Sequence, residues 1–442
     1  MPADPLTQSL PAQEPPTSAP SGRTRAMPEV PRPLRVLFLA TFFPKPGREI
    51  MGVWALKQIS ALKRQGADVE VVSMTSWIPR FFAPWLGRYR AWAECPAEYW
   101  FGEVHVRYPR WLFYNVGRLA RMSFRKPALQ HAIAWWSGRR GLLRAIRDFR
   151  PDVIFAHHTG MSGHLAYRLN RALGIPYVVA DHDFDEIAGC VELPARRRFF
   201  EKVVRNAACL VPVAKRMQAS LEELFPDVRV VPITNGADPP PPHLAHIRPP
   251  GLQGKTVVLC VAMFYARKGI PLLIRAFDRI AELHPDALLR IIGDGPDRAA
   301  IEQAIAQAAH KDHISLLGSQ PHDRVLQEMA WADIFALVGW DEPCATVYLE
   351  SLAAGLPILC CNDGGINDVL VNEVHGLTIP PRDETAAAEG LDRLLGDSAL
   401  RTRMGGSARE LFQQGLSWDA YARKLLAILE DAAGRKSPAA GR

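Results

Sequence analysis

The sequence predicts an α/β protein with two doubly wound parallel-sheet domains that face a cleft. A chain of 442 residues is long enough for two hydrophobic cores. Its strands are continuous apolar runs, as expected where a parallel sheet is covered on both faces. Strand and helix patterns alternate in two consecutive series, which indicates two such sheets.

The first series begins at Arg35, where the run RVLFLATF predicts a buried strand. The loop FFPKPGREIMG leads into an amphipathic helix, VWALKQISALKRQG, and the strand DVEVVSM completes one βαβ unit. The strands PDVIFAHH, YVVADHD and CLVPVA repeat the pattern, with a helix through Asn206 before the last of them. We therefore assign residues 34–238 to an N-terminal Rossmann-like domain, after a Pro-rich tail at 1–33 that should be disordered.

The second series follows a linker at 239–250, which Asn235-Gly236 and a run of prolines indicate. Its strands are TVVLCVAMF, LLRIIGDG, ISLLG, IFALVG, PILCCND and GLTIP. Its helices include IPLLIRAFDRIAEL, VLQEMAWA, TVYLESLAAG and INDVLVN. These elements define a C-terminal domain at 251–417, and a last helix at 418–434 should pack back on the N-terminal domain before a tail at 435–442.

Composition restricts the location and the kind of site. No uncharged apolar run is long enough to span a membrane, and the N-terminal tail lacks the apolar core of a signal peptide. The seven cysteines form no CxxC spacing, and several lie in apolar runs, which favours a reducing cytoplasm and argues against structural zinc. We expect a cytoplasmic protein that needs no cofactor.

The strongest chemical motif is VGWDEPCATVYLESLAAGLP, in which Glu342 and Glu350 flank seven residues. Glu342 should lie just outside a helix and Glu350 within it. The N–H groups of residues 344–347 would then be free to bind phosphate at the helix N-terminus. Two carboxylates on either side of a phosphate site could accept hydroxyls of a sugar and a ribose. The same residues would also suit an acidic helix cap followed by a solvated glutamate.

These segments resemble retaining glycosyltransferase family 4, the glycosyl transferases group 1, which has the GT-B fold. The motif is similar to the family's E-x7-E signature. VVADHD, PITNGAD, RKG at 267–269, IIGDGP and LSWDAYA resemble other family segments in the same order. The resemblance covers the chain from about Arg35 to Leu429.

The resemblance implies a role for individual residues. Glu350 would bind the ribose of a nucleotide-sugar donor, Glu342 the transferred sugar, and Lys268 the diphosphate as it leaves. His182 would lie near the anomeric carbon, and Gly52 would let its loop approach the donor closely. Further donor-binding residues would be Arg267, Cys344, Ala345, Thr346, Val347, Gly364 and Gly365.

One position departs from the family pattern. The family often has Gly-Arg where this chain has Ala262-Met263, so one phosphate-binding cation is missing from its usual place. Arg267 is a substitute, although neighbouring residues such as Arg267 and Lys268 should not point alike. A lost charged contact is worth roughly 1.5–3 kcal/mol.

Two other groups could carry chemistry. Asp181, Asp183 and Asp185 alternate after a strand and could hold a divalent metal ion, although turn and capping roles explain them as well and we assign no metal site. His157 and His158 follow another strand and could face the cleft or serve as structural histidines.

The segment 77–150 is strongly basic in a chain of net charge +7, with fourteen Lys or Arg against four acidic residues, and it holds seven of the eleven tryptophans. It could contact a membrane interface, with aromatics at headgroup depth and Arg on phosphates. It could equally be a solvated helix face with packed aromatics. No nucleic-acid module frames it, so we expect no nucleic-acid partner.

The sequence therefore predicts a hexosyltransferase that uses a UDP- or GDP-sugar and a glycan or polyprenyl-linked acceptor, with retention of configuration. A role in cell-envelope or exopolysaccharide synthesis and peripheral attachment at the inner face of the plasma membrane would follow. Two alternatives are a nucleotide-sugar epimerase on the same fold and a catalytically weak, membrane-associated binding protein, which the change at Met263 suggests.

Overall fold

The computed structural model describes residues 32–47, 52–85, 87, 90–114, 116–182, 184–241 and 248–435. The chain from Leu34 onward forms one compact unit. Most of the predicted tail at 1–33, the middle of the predicted linker and residues 436–442 lie outside the described residues. Two separate sheets, of seven and six strands, organise the unit and confirm the predicted α/β architecture.

The first half contains nine strands and eight helices among its described residues. The strands are β1 (Arg35–Ala40), β2 (Asp68–Ser73), β3 (Thr75–Ser76), β4 (Glu98–Phe101), β5 (Val104–Arg107), β6 (Arg110–Trp111), β7 (Val153–His157), β8 (Tyr177–Asp181) and β9 (Cys209–Pro212). The helices are α1 (Val53–Arg64), α2 (Arg90–Glu94), α3 (Gly117–Arg125), α4 (Pro127–Phe149), α5 (Met161–Leu173), α6 (Asp185–Glu192), α7 (Pro194–Val204) and α8 (Lys215–Leu224).

The first sheet has the strand order β4-β5-β2-β1-β7-β8-β9 and is parallel except for the pairing of β4 with β5. β1 lies at its centre, in register with β2 on one side and β7 on the other. Alternate residues of β1 face two different cores: Val36 and Phe38 pack in one, Leu37 and Leu39 in the other. A strand buried on both faces must be apolar throughout, which explains the continuous run in the sequence.

Two predicted helices differ in the structure. The helix predicted through Asn206 is divided into α6 and α7, because Pro194 cannot continue a helix but suits the first position of a new one. The predicted helix INDVLVN is only a 3₁₀ turn, Gly365–Asp368. The Asp368 carboxylate there accepts a hydrogen bond from the backbone N–H of Lys215, 2.6 Å away, instead of supporting a longer helix.

The second half follows the predicted order of strands and helices. Its strands are β10 (Thr256–Val261), β11 (Ala287–Ile292), β12 (Ile314–Gly318), β13 (Ile334–Leu337), β14 (Ile358–Cys361) and β15 (Gly376–Ile379). Its helices are α9 (Ile270–Ile280), α10 (Arg298–Gln307), α11 (His322–Trp331), α12 (Thr346–Ala354), α13 (Glu384–Gly396), α14 (Ser398–Gln413) and α15 (Trp418–Ala432). The sheet order is β12-β11-β10-β13-β14-β15, and every pairing in it is parallel.

The backbone passes between the two halves twice, and the two passages lie side by side. Ile233 packs in a core of the first half and Ala237 in that of the second, whereas Leu416 and Trp418 make the return passage. The N–H of Ala237 donates to the carbonyl of Leu416, 3.0 Å away, and the N–H of Trp418 donates to Ala237, 3.3 Å away. Helix α15 then packs with α1, β7 and β8 in the first half.

Substitution of Gly236 should test this crossing. A Cβ atom on Gly236 would lie 2.4 Å from the backbone nitrogen of Trp418, so the Gly236→Ala variant must displace backbone rather than a flexible side chain. We expect a stability loss of about 1–3 kcal/mol, measured as a lower melting temperature. Gly251→Ala is the control, because no heavy atom lies within 4 Å of its Cβ position. Equal melting temperatures for the two variants would contradict the role of the crossing.

Candidate active site

The candidate site lies where three neighbouring strands of the second sheet, β10, β13 and β14, end. α/β proteins place ligands at the carboxyl ends of such strands because the connecting loops meet there. The loop after β10 contains a 3₁₀ turn, Ala266–Lys268. The loop after β13 leads through Glu342 to α12, and the loop after β14 contains Gly364 and Gly365.

Glu342 is the centre of this site. Only 2% of its surface is exposed, and each of its carboxylate oxygens accepts a hydrogen bond from a different cation. Lys268 Nζ lies 2.6 Å from Oε2, and an Arg267 guanidinium nitrogen lies 2.8 Å from Oε1. The expectation that Arg267 and Lys268 point apart is therefore wrong. Their long side chains converge on one carboxylate.

The two cations differ in their surroundings. Lys268 is buried, and burial lowers the pKa of its ammonium while the Glu342 charge opposes that shift. The Arg267 side chain is 40% exposed, so one face of the guanidinium remains available to a ligand. Two cations against one carboxylate leave this group of three side chains with a net positive charge, which suits an anionic ligand.

Backbone packing around Glu342 depends on glycine. The N–H of Gly365 donates to the carbonyl of Glu342, 2.8 Å away. A Cβ on Gly365 would lie 1.6 Å from the carbonyl oxygen of Pro343, whereas one on Gly364 would make ordinary contacts at 3.6 Å. Gly365 is therefore required for the loops after β13 and β14 to meet. A side chain at Gly364 would not clash with the loop after β13.

Glu350 lies on α12, and Glu342 precedes that helix, as the motif predicts. Glu350 is buried, and burial raises the pKa of its carboxyl from 4.5 to about 7, against the opposing charge of Lys57. His322 Nε2, at the start of α11, lies 3.7 Å from Glu350 Oε1. Lys57 belongs to α1 of the first half and pairs with Asp238 at 2.7 Å, so both halves contribute charge near Glu350.

The N-terminus of α12 lies between the two glutamates. Helical hydrogen bonding begins where the N–H of Tyr348 donates to the carbonyl of Ala345, 3.1 Å away. The first N–H groups of a helix have no partner within it, which leaves those of Thr346 and Val347 oriented toward a ligand. The side chain of Cys344, which precedes this helix, is buried and packs in a core of the first half with Ala214.

Polar contacts join the two halves beside this helix. Arg216, on α8 of the first half, donates to the carbonyl of Asp363 at 2.9 Å and to the carboxylate of Asp341 at 3.1 Å. Both aspartates belong to loops that hold Glu342. The start of α8 therefore lies directly against the candidate site.

His182 follows β8, next to β9, and lies in a group of three histidines. Its ring centre is 4.2 Å from that of His157 and 5.4 Å from that of His158. Within the described part of the chain, neither ring nitrogen of His182 or His157 has a hydrogen-bond partner. Burial, followed by repulsion from neighbouring histidines, lowers the pKa of both rings well below 6.5. Both are therefore neutral at pH 7.

The acidic residues around His182 do not form a metal site among the described residues. Asp181 accepts hydrogen bonds from the backbone N–H of Thr159, 2.8 Å away, and from the Thr159 hydroxyl. Asp183 lies outside the described residues, as does the side chain of Asp185. Asp181 thus joins the end of β8 to the loop after β7, a contact between distant segments rather than a turn or a helix cap.

Gly52 lies at the start of α1 with φ of 88°, a conformation that favours glycine. A Cβ there would lie 2.8 Å from the Cα of Phe43. Gly52 is thus required by the loop after β1, whether or not a donor is bound. The neighbouring Phe42 ring reaches His158, with centroids 5.6 Å apart, and connects this loop to the histidine group.

Sequence reasoning missed His322, Lys57 and Asp238. Asp238 belongs to the PITNGAD segment and could have been noticed there. His322 and Lys57 carry no motif, and only folding brings them to Glu350. Among the described residues, no hydrogen bond or ring contact joins His182 to Glu342 or Lys268.

Two family models match the chain, one for each half. The model described as Glycosyl transferase 4-like domain matches residues 51–236, and that described as Glycosyl transferases group 1 matches residues 245–411. Among curated relatives, the glycogen synthase of Mycobacterium tuberculosis is 27% identical over 67% of this chain and 72% of its own. A putative teichuronic acid biosynthesis glycosyltransferase of Bacillus subtilis is 25% identical over 81% of this chain and 89% of its own.

Solved structures share the fold. Sucrose-phosphate synthase from Thermosynechococcus elongatus has a TM-score of 0.71 and 17% identity, and the match covers 90% of this chain and 98% of that one. The HepE protein of Anabaena, in complex with UDP and glucose, has a TM-score of 0.63 and 18% identity, covering 90% of this chain and all of that one. The fold and the two matched domains define this chain as a glycosyltransferase of the GT-B fold.

The raised pKa of Glu350 has a measurable effect on stability. Between pH 4.5 and about 7 the unfolded chain loses the Glu350 proton while the folded chain keeps it, so ionisation increasingly destabilises the fold as the pH rises. Replacing Glu350 with Gln removes this cost. We expect the Glu350→Gln variant to gain stability relative to the parent as the pH rises, by up to about 3 kcal/mol above pH 7.

Thermal or urea unfolding from pH 4.5 to 8 checks this expectation. Glu389→Gln, at an exposed position on α13, is the matched control and should show no such trend. A difference between the Glu350→Gln variant and the parent that does not change with pH would refute the expectation.

Proposed function

We propose that this glycosyltransferase moves a hexose-type sugar from a UDP- or GDP-sugar to a glycan or polyprenyl-linked acceptor. The protein would resemble the retaining family 4 enzymes and act in cell-envelope or exopolysaccharide synthesis. The UDP and glucose complex of HepE and the name of the Bacillus subtilis relative support the choice of donor and pathway class.

The pairing of Glu342 with Lys268 and Arg267, beside the N-terminus of α12, is the observation that carries this proposal. The donor diphosphate lies against that N-terminus and the two cations. Glu350 lies about 6 Å further along the helix axis, where it accepts the ribose hydroxyls. The sugar then lies on the side of Glu342 and the loop at 364–365.

The cations stabilise the charge that develops on the departing diphosphate. A cation held in place before the reaction lowers the barrier more than one that must first be ordered. Arg267 supplies the second positive charge that the change at Met263 would otherwise remove. Its partial exposure leaves hydrogen-bond donors for the phosphate oxygens while Glu342 holds the side chain.

The acceptor hydroxyl attacks the anomeric carbon on the face from which the diphosphate leaves, so the configuration is retained. The bond from the sugar to the diphosphate breaks, the bond to the acceptor oxygen forms, and the hydroxyl proton passes to the departing diphosphate. Neutral His182 donates or accepts a hydrogen bond at the donor sugar. Asp181, the neighbouring carboxylate, is engaged by Thr159, which disfavours it as a covalent nucleophile.

We also infer that the reaction takes place at the cytoplasmic face of a membrane. All seven cysteines are buried and none forms a disulfide, which suits a reducing compartment. No described helix has the length and apolar character needed to cross a bilayer. In the segment 77–150, several aromatic side chains face solvent: Trp77, Phe81, Trp85, Trp100 and Trp136. Exposed tryptophans beside arginines suit a membrane interface.

Calorimetric titration with UDP, GDP and ADP, each with and without Mg²⁺, tests the donor site. One of the three nucleotides should bind, and Glu350→Ala should weaken binding by roughly 10- to 100-fold, as expected for a lost charged hydrogen bond, and abolish turnover. The exposed Glu389→Ala variant on α13 should bind and react like the parent. Failure of all three nucleotides to bind would contradict the proposal, as would parent-like turnover by Glu350→Ala.

Sedimentation with vesicles tests the membrane surface. We expect binding to phosphatidylglycerol vesicles that weakens with added salt, since the arginines act partly through electrostatics. The double variant Trp85→Ala, Trp136→Ala should bind several-fold less. Leu283→Ala, which removes an equally exposed apolar side chain from the second half, should bind like the parent. Equal binding by all three proteins would show that the tryptophans make no membrane contact.

A further inference from the structure

A cavity separate from the candidate active site lies in the first half, within the basic segment 77–150. Its volume is about 570 Å³, within the range of small-molecule sites. The described residues that line it come from three stretches of chain: Trp77–Arg80, Ala93–Ala97 and Arg110. None of these residues takes part in the proposed donor site.

Arg110 is fixed at one wall of this cavity by backbone carbonyls. Its guanidinium donates to the carbonyl oxygens of Trp92 and Cys95 and, at 3.4 Å, to that of Ser76. Among the described residues, no carboxylate forms an ion pair with Arg110 or with Arg80, which lines the same cavity. Burial lowers the pKa of Arg110. Repulsion between its guanidinium charge and that of Arg80 lowers this pKa further.

Lys45 adds a third positive charge beside the cavity. Its side chain is only 6% exposed and lies near two aromatic rings, 5.8 Å from the centre of Trp92 and 5.3 Å from that of Tyr108. Burial lowers the pKa of Lys45 to about 8, and the charge of Arg110 contributes to the shift. A lysine that remains largely charged in these surroundings gains from a nearby anion.

The carboxylate that lines the cavity does not balance these charges. Glu94 pairs with Arg90, 2.8 Å away, on its own helix. Gathering three cations around one partly buried space costs electrostatic free energy that a bound anion would offset. Fixed guanidinium groups suit phosphate oxygens in particular, because they offer several parallel N–H donors.

The chain segment that carries Lys45 also leads to the histidine group. Lys45 is three residues from Phe42 in the sequence, so at most about 11 Å of extended chain separates these two residues. The ring of Phe42 contacts that of His158, which lies beside His182. We propose that this cavity binds the phosphate or diphosphate group of the acceptor. The inference rests on the proposed glycosyl transfer and names the acceptor's chemical class.

Titration with inorganic pyrophosphate tests the site. The Lys268→Ala variant serves as the background, so that the donor site contributes little. In this background, adding Arg80→Gln should weaken pyrophosphate binding about tenfold or more, because it removes a cation from the cavity lining. Adding Glu94→Gln should strengthen pyrophosphate binding, because it removes an anion from the lining. Adding Arg140→Gln, which removes an exposed arginine of α4 outside the cavity lining, should have no effect.

No binding in the Lys268→Ala background would overturn the proposal. Equal weakening by Arg80→Gln and Arg140→Gln would also overturn it, because it would indicate a diffuse surface charge. The donor proposal is judged separately: nucleotide binding to otherwise unchanged protein should survive Arg80→Gln but not Glu350→Ala.

Two further arms identify the source of the phosphate. Recruitment by phosphatidylcholine vesicles that carry undecaprenyl phosphate, lost in Arg80→Gln, would support a lipid-linked acceptor. Displacement of pyrophosphate by glucose 6-phosphate, without recruitment to those vesicles, would support a soluble sugar phosphate. Failure of both ligands would overturn the assignment to an acceptor.

Discussion

A buried carboxylate either pairs with cations or takes up a proton, and the pairing of Glu342 organises the site. Lys268 and Arg267 bring the loop after β10 to it, and the N–H of Gly365 brings the loop after β14 to its carbonyl. Three loops therefore meet on one residue. Because the pairs form within the protein itself, the positive charge is in place before a ligand arrives, which is the condition for electrostatic catalysis to be effective.

The fold could largely be predicted because a doubly wound sheet produces local signals. Strands buried on both faces, such as β1, read as unbroken apolar runs. The segment 77–150 could not be predicted in this way. There β4 pairs antiparallel with β5, and Arg110 bonds to the carbonyls of Trp92 and Cys95, contacts that depend on pairing between separate segments rather than on periodicity.

The local motif of the candidate site could be predicted from the sequence, but the contacts that its side chains make with distant segments could not. The spacing of Glu342 and Glu350 and the helix between them follow from local sequence, as the position of α12 confirms. The convergence of Arg267 and Lys268 on Glu342 depends on a 3₁₀ turn that no sequence pattern predicted. His322 and Lys57 reach Glu350 from distant parts of the chain, and only tertiary structure brings them together.

The two side-by-side passages of backbone form a mechanical linkage. Two backbone segments bonded to each other near Ala237 resist sliding and separation more than they resist rotation about the line where they meet. Any movement of one half relative to the other would then be a swing about that axis. Such a swing would change the distances from Lys57 to Glu350 and from Arg216 to Asp341 together, so that one angle would set the surroundings of both Glu350 and Glu342.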